Sequence, residues 1–435
     1  MDIETVITNQ VEGSNASDES TPVGACGCTQ DCDHKQIEDL QIELIDCDNK
    51  VESGELDELV SSVNIQHKTK YLQALTRNLD NNFKGYYVLA KLRGEVVAWT
   101  YVFIDAEFAL HGVLTGFLEK IYNIFPVKFR AAFISSPVAE YNMIHIKDRF
   151  KHLEKHIAEK IMTGLQKFLK KEKIELVIIK DHINKYTSDF FHKKFIHVHF
   201  MPGSFIDLED ACVCKHVCVT KCECGCSCFD SYLVGLKKKR KANIRYKMKR
   251  RKEELVIEIV DAGSLTKEEC GRCHELYTQT RNKQRLKHEN LAPGYFYDCA
   301  RELGDACKIM LAKVEDKIIG FAQLLENAED VINVRMGMDY EYNKEYNLYY
   351  HLLYENIIYS LRKKKKRLYT SQSSYRPKLE MGAKLFPLHT YFCFSNPFLQ
   401  KIFGKLIASN CQCYTDLITA ENPSEVAKKH KLCPY

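Results

Sequence analysis

The chain has no long hydrophobic run. Its longest nearly uninterrupted apolar stretch, Val96 to Ile104, falls well short of the roughly 20 residues that a membrane-spanning helix needs, so no helix of this chain is expected to span a bilayer. The N-terminal Met1-Asp2-Ile3-Glu4 lacks the basic-then-apolar order of a secretory signal, which predicts a cytoplasmic protein whose thiols stay reduced. Excess charge is also scarce. A net charge of +5 over 435 residues excludes a polycation that holds acidic partners by overall charge. The cations are instead gathered locally, in Lys237 to Lys252 (KKKRKANIRYKMKRRK) and in Arg362 to Arg367 (RKKKKR). Each run suits phosphate or nucleic acid, or else a solvated helix face and a helix C-terminus.

What is present is the balance of a soluble globular chain, 45% hydrophobic and 28% charged, long enough for two or three domains. Against that background the cysteines stand out. Cys212, Cys214, Cys218, Cys222, Cys224, Cys226 and Cys228, with His216 among them, lie in one 17-residue segment. Cys-x-Cys pairs do not close on themselves as unstrained disulfides, whereas neighbouring thiolates share a soft cation, Zn²⁺ or Cu⁺. Seven thiolates exceed one tetrahedral site, so more than one ion binds or some cysteines stay free. Cys26, Cys28, Cys32 and His34 form a second four-ligand group, and Cys411 and Cys413 offer a third partner. A redox loop or a ligand-free insertion is the alternative reading. Cys270-Gly-Arg-Cys273-His274 spells a c-type haem attachment site; without an export signal, and within a stretch that reads as helix from Leu265 to Tyr277, it is rejected.

Residues 1–47 are polar and read as a flexible tail. Tyr86 to Lys91 and Glu95 to Ile104 flank Arg93-Gly94 as a hairpin. Phe150 to Lys171 spaces Leu153, Ile157, Ile161, Leu165 and Phe168 at helical intervals, and the strand Ile174 to Ile179 follows. The same order returns in Lys308 to Val314, a turn at Glu315-Asp316, Lys317 to Leu325, Val331 to Met338, a helix over Asn347 to Lys364 and the strand Arg367 to Ser371. One α/β unit is used twice. Between the copies lie the cysteine segment and a basic helix over Ser231 to Lys252, with Leu236, Ile244 and Met248 on one face.

Four stretches carry a family resemblance, one of them Asn347 to Ser360, which resembles the long helix of the family's second lobe. Arg367-Leu-Tyr-Thr-Ser-Gln372-Ser-Ser-Tyr375-Arg-Pro377-Lys378-Leu-Glu-Met-Gly382 resembles the C-terminal signature of tandem acyltransferases with the GNAT fold, the Fem family of aminoacyltransferases and related acetyltransferase-domain proteins. Ser231-Tyr232-Leu233 with Lys239 to Arg245 is similar to that family's inter-lobe helix, and Ile134 to Asn142 to its first strand-end segment. The resemblance implies an α/β (α+β) fold of two GNAT-like lobes, 48–208 and 231–435, with a cysteine-rich insertion at 209–230. It implies an N-acyltransferase moving an acyl or aminoacyl group from acyl-CoA or aminoacyl-tRNA to a small-molecule or peptide amine, with tRNA a partner in the second case. One departure bears on the donor. Where acetyl-CoA-binding members have a glycine-rich cradle for pyrophosphate, this chain reads Met336-Gly337-Met338-Asp339-Tyr340-Glu341.

Acyl transfer to an amine needs a held donor, a base and donors for the oxyanion. Asp339 at a strand end, and Glu355 with Tyr350 on the next helix, are the candidate catalytic residues. Arg335, Tyr354, Gln372, Ser373, Tyr375, Lys378 and Arg281 are the candidate binding residues, with Arg376 and Arg285 beside them. Arg335, in an otherwise apolar strand, has to face solvent, a carboxylate or a ligand. Glu355 reads equally as a pairing residue on an amphipathic helix. Two rival readings remain: a metal-thiolate protein on a silent acyltransferase scaffold, and an RNA-binding module using the basic runs.

Overall fold

A computed structural model describes residues 38–49, 53–60, 64–80, 82–110, 127–209, 228–284, 289–420 and 422–430. Cys26, Cys28, Cys32, His34 and the segment from Cys212 to Cys226, His216 included, lie outside the described residues, as does Arg285; of Cys228 only the backbone is described.

The first half of the chain supplies β1 (Gln41–Asp46), α1 (Ser53–Leu59), α2 (Thr69–Asn78), β2 (Phe83–Leu92), β3 (Glu95–Ala109), β4 (Lys128–Ile134), β5 (His145–Ile146), α3 (Glu154–Lys171), β6 (Leu176–His182), α4 (Asp189–Lys194), β7 (Ile196–Val198) and β8 (Gly203–Asp207). The expected hairpin is β2–β3, turning through left-handed Arg93 and Gly94, the geometry that matches strand twist; β1, inside the stretch 1–47 expected as a flexible tail, pairs with β2 instead. The expected helical stripe forms α3, whose Ile157, Ile161 and Leu165 are fully buried against the sheet, as an i, i+4 spacing requires.

The second half follows with α5 (Cys228–Val234), α6 (Lys238–Lys249), β9 (Leu255–Asp261), α7 (Lys267–Lys283), α8 (Tyr295–Leu303), β10 (Cys307–Val314), β11 (Lys317–Glu326), β12 (Asp330–Met338), α9 (Tyr340–Tyr346), α10 (Leu348–Arg362), β13 (Arg367–Tyr369), α11 (Tyr375–Glu380), β14 (Lys384–Phe386), β15 (His389–Phe394), α12 (Pro397–Thr419) and α13 (Pro423–His430). The single basic helix expected over Ser231 to Lys252 is two helices, α5 and α6, broken around Gly235. Helix α7 starts on a capping box, Thr266 with Glu269, and buries Cys270 and Cys273, which agrees with rejecting a haem site there.

Strand order is β1-β2-β3-β4-β6-β15-β7 in one sheet, with β5 beside β3, and β14-β8-β13-β12-β11-β10-β9 in the other. Reading the second sheet from β9, the two orders match strand for strand, and each contains one parallel ladder, β4 with β6 and β12 with β13. The doubled unit is therefore real, but its copies exchange a strand. β8, from the first half, fills the sixth place of the second sheet, and β15, from the second half, fills the sixth place of the first. A boundary at residue 208 does not separate the sheets. Each exchanged strand finds backbone partners only in the other lobe, so pairing and not chain order sets the division.

Candidate active site

β4 and β6 run together only as far as Ile134 and Ile179, and β12 and β13 only as far as Ile332 and Tyr369. Past these pairs the strands part, and their backbone groups need other partners. The chain meets that need with left-handed backbone. Of the eleven non-glycine residues with positive φ among the described residues, Ser135 (120°), Tyr141 (62°) and Asp181 (52°) lie at the first strand end, and Ser371 (60°), Ser373 (65°) and Ser374 (45°) at the second. The other five occupy hairpin turns and helix ends, where such geometry is routine. Backbone of this kind costs about 1–3 kcal/mol per residue and persists where the surroundings over-determine it.

At the first strand end the surroundings are a buried polar knot. Asn142 donates Nδ2 to the carbonyls of Ala139 (3.2 Å) and Lys180 (2.9 Å), while its Oδ1 accepts from the Tyr101 hydroxyl (3.2 Å) and lies 3.2 Å from His67 Nε2. Asn64 donates Nδ2 to the carbonyls of Glu140 (3.1 Å) and Tyr141 (3.0 Å). Ser135 is hydrogen-bonded to His182 Nε2 at 2.6 Å, and His182 Nδ1 to the Tyr186 hydroxyl at 2.9 Å. Burial lowers both His67 and His182 to about 3, so these imidazoles are neutral and act as fixed hydrogen-bonding groups.

The knot holds Glu140 against the other lobe. Its Oε1 accepts the backbone N–H of Gln372 at 2.8 Å, whereas Oε2 is buried with no hydrogen-bond partner. Burial raises the carboxyl above its ordinary range, against the pull of the Gln372 N–H and of Lys378 and Lys180. Lys378 Nζ donates to the carbonyls of Ser371 (2.8 Å) and Gln372 (3.0 Å), Gln372 Nε2 to Met201 (3.0 Å), and the Tyr375 hydroxyl to Pro202 (2.8 Å). Gln372, Ser373, Tyr375 and Lys378 thus stand together, as their run in the sequence predicts. Glu140 joins them from the Ile134 to Asn142 stretch, which the resemblance marks without singling out this carboxylate; the meeting of two segments 232 positions apart does that.

The remaining candidates lie elsewhere. Asp339 caps α9, accepting from the Glu341 N–H at 3.2 Å, and its other oxygen is 3.0 Å from Arg272 Nη2 and 3.9 Å from Lys317 Nζ. A carboxylate already sits where a pyrophosphate would meet that helix start. Glu355 pairs with Arg251 at 2.8 Å; Tyr350 lies under Lys247 Nζ, 3.3 Å from its ring centre, with buried Tyr354 alongside. On α10, Tyr350 thus faces α6, Tyr354 also faces Phe229 of α5, and Glu355 faces Arg251 just past α6. Arg376 is 3.5 Å from Glu380. Arg335 turns into the protein: Nη1 donates to the Val334 carbonyl (2.8 Å), and Nη2 is 3.4 Å from Glu289 Oε1 without forming a hydrogen bond. Arg281 donates to the Glu289 carbonyl, so both arginines meet at Glu289.

Comparison with known proteins finds a family match and similar folds. A family model named FemAB-like and described as peptidoglycan biosynthesis/recognition matches residues 192–419, more than half of the chain. Among solved structures, FemX shares the fold at TM-score 0.50 and 10% identity, over 83% of this chain and 100% of that one. A tandem GNAT protein from the clavulanic acid biosynthesis pathway aligns at 0.46 and 9%, over 82% and 99%, and L-PGS from Bacillus licheniformis at 0.46 and 7%, over 84% and 99%. No curated protein matches the sequence.

Proposed function

Because this chain belongs to the FemAB-like family and shares the fold of FemX, we propose that it is an acyltransferase that moves an aminoacyl group from aminoacyl-tRNA to a peptide amine where Glu140 meets Gln372. The observation that carries this reading is the Glu140 carboxylate, with one oxygen pinned by the opposite lobe and the other without a partner. A buried carboxylate with a raised pKa and a free oxygen suits a general base. In the reaction the amine nitrogen attacks the ester carbonyl; the C–N bond forms, the C–O bond to the tRNA ribose breaks, and the amine proton passes to Glu140 Oε2 and then to the leaving oxygen. Lys378 holds positive charge beside that carboxylate.

Two features favour a tRNA donor over acyl-CoA. Asp339 occupies the helix start where pyrophosphate would sit. Helix α6 presents Lys238, Lys239, Arg245 and Lys249 to solvent around Tyr246, which is 58% exposed; exposed cations with an aromatic suit a nucleic-acid strand.

The test is transfer from a labelled aminoacyl-tRNA pool to a panel of peptide amines by the full chain, with acyl-CoA esters in parallel. Transfer from tRNA, and its loss by about 10²- to 10⁴-fold in Glu140→Gln with an unchanged melting temperature, is expected. Wild-type rates in that variant would remove Glu140 from the reaction, and transfer from acyl-CoA alone would overturn the donor.

A further inference from the structure

β7 and β15 lie side by side at one edge of the first sheet, with Tyr391 opposite His197 and Thr390 opposite Val198. Alternate residues of a strand share a face, so His197 and His199 project together, and His389 joins them from β15. The ring centres are 5.1 Å apart for His197 and His199, 5.1 Å for His197 and His389, and 4.8 Å for His199 and His389. One nitrogen from each lies within 4.8 Å of the other two, and His197 Nε2 is 2.9 Å from His389 Nδ1. The third ring is oriented by backbone: His199 Nδ1 is 3.2 Å from the Leu388 carbonyl, a contact that puts the proton on Nδ1 and leaves the Nε2 lone pair outward. An imidazole whose other nitrogen donates to a carbonyl is the usual arrangement of a metal-binding histidine.

We propose that His197, His199 and His389 bind a first-row divalent cation, Zn²⁺ foremost, through three imidazole nitrogens, with a fourth position left to water. Three nitrogens around Zn²⁺ at 2.0–2.1 Å stand about 3.3 Å apart in a tetrahedral site, so the 2.9 Å contact has to open slightly and the wider separations, up to 4.8 Å, have to close. Imidazole donors favour zinc, copper or nickel over magnesium or calcium. His389 is nearly buried while His197 and His199 are partly exposed, which leaves an entry side. The ion would clamp the exchanged strand β15 to β7, two positions joined across 192 residues of chain. This site does not depend on the acyl-transfer reading.

The test uses the full chain, stripped with chelator under reducing conditions and titrated with Zn²⁺ by native mass spectrometry. Thiolates are also zinc ligands, so the readout is a difference: the H197Q/H199Q variant should hold one ion fewer than wild type, whereas H156Q, on α3, should hold the full number. A folded H197Q/H199Q with the wild-type count overturns the site. If that variant does not fold, carbethoxylation of the wild type, mapped residue by residue, decides. Zn²⁺ should protect His197 and His199 but not His156, and equal modification with and without zinc overturns the proposal.

Discussion

The hydroxyls of Tyr71 and Tyr295 stand 3.2 Å apart in the interior, one from α2 of the first lobe and one from α8 of the second. Both residues are fully buried, in an apolar core that draws Leu72 and Leu75 from one lobe and Leu276 and Phe296 from the other. Arg77 with Glu302 (2.7 Å) and Asn78 with Asp298 (2.8 Å) rim the same interface. The lobes cannot part without exposing that core and unpairing two exchanged strands. Unfolding in denaturant is therefore expected as one transition, with fluorescence of the single tryptophan, Trp99, in the first lobe, coinciding with far-UV circular dichroism from both. Tyr71→Phe leaves the Tyr295 hydroxyl only the weaker Cys299 thiol as a partner, at a cost of up to about 1–3 kcal/mol, part of which the double variant with Tyr295→Phe should recover.

Asn142 is expected to matter more than either tyrosine. Asn142→Ala removes the amide from the Ala139 and Lys180 carbonyls, the Tyr101 hydroxyl and His67, of which Ala139 keeps Lys180 Nζ and His67 keeps Asn64. At about 1–3 kcal/mol for each buried group left unsatisfied, its denaturation midpoint should fall below that of Tyr71→Phe. Equal midpoints would show that water replaces the amide.

Acid should act through the same knot. His67, lowered to about 3 by burial, and His145, lowered well below the ordinary value by burial and then by His67, are neutral when folded and take up protons near 6.5 when unfolded. Their folded pKa is depressed, so their contribution is fully present above about pH 6.5 and is lost as pH falls toward about 3. Stability from denaturant melts should decline across that window, and His67→Gln should flatten the slope. A slope unchanged in a folded His67→Gln would remove His67 from the acid response.

Glu355 separates two sites for the base. Its partner Arg251 and the carboxylate itself are partly exposed, at 31% and 20%, so Glu355→Gln should cost no more than about 1 kcal/mol and leave transfer near the wild-type rate. A hundredfold loss in a folded variant would move the base from Glu140 to α10.

Binding of tRNA should depend on α6. Replacing Lys238, Lys239 and Arg245 by alanine should weaken binding and reduce the slope of log affinity against log salt by about 0.7–0.9 for each phosphate that the helix no longer neutralises. An unchanged slope would place the tRNA on another surface.

Much of the local architecture is legible in the sequence because it is enforced locally. The Arg93-Gly94 turn, the Ile157, Ile161 and Leu165 stripe and the β10–β11 hairpin follow from turn chemistry and one-sided burial, which leave a period in the letters. The break between α5 and α6 is hidden because the apolar spacing from Leu236 to Met248 runs on as if the helix did. Gln372, Ser373, Tyr375 and Lys378 stand out together because they are neighbours in the chain. Asp339 and Glu355 fit a catalytic role by type and place, yet the fold sets cations against each, Arg272 and Lys317 at the first and Arg251 at the second.

The sequence by itself determined the two α/β units, their order and the polar strand ends, since side-chain periodicity and backbone preference act over a few residues. Only the tertiary structure decided that the units exchange β8 and β15, that Glu140 meets Gln372 and that His389 joins His197 and His199. A strand edge, a carboxylate or an imidazole takes whatever partner packing brings to it. Where partners lie some 200 residues apart, that choice is made by how two sheets share one core, not by the letters on either side.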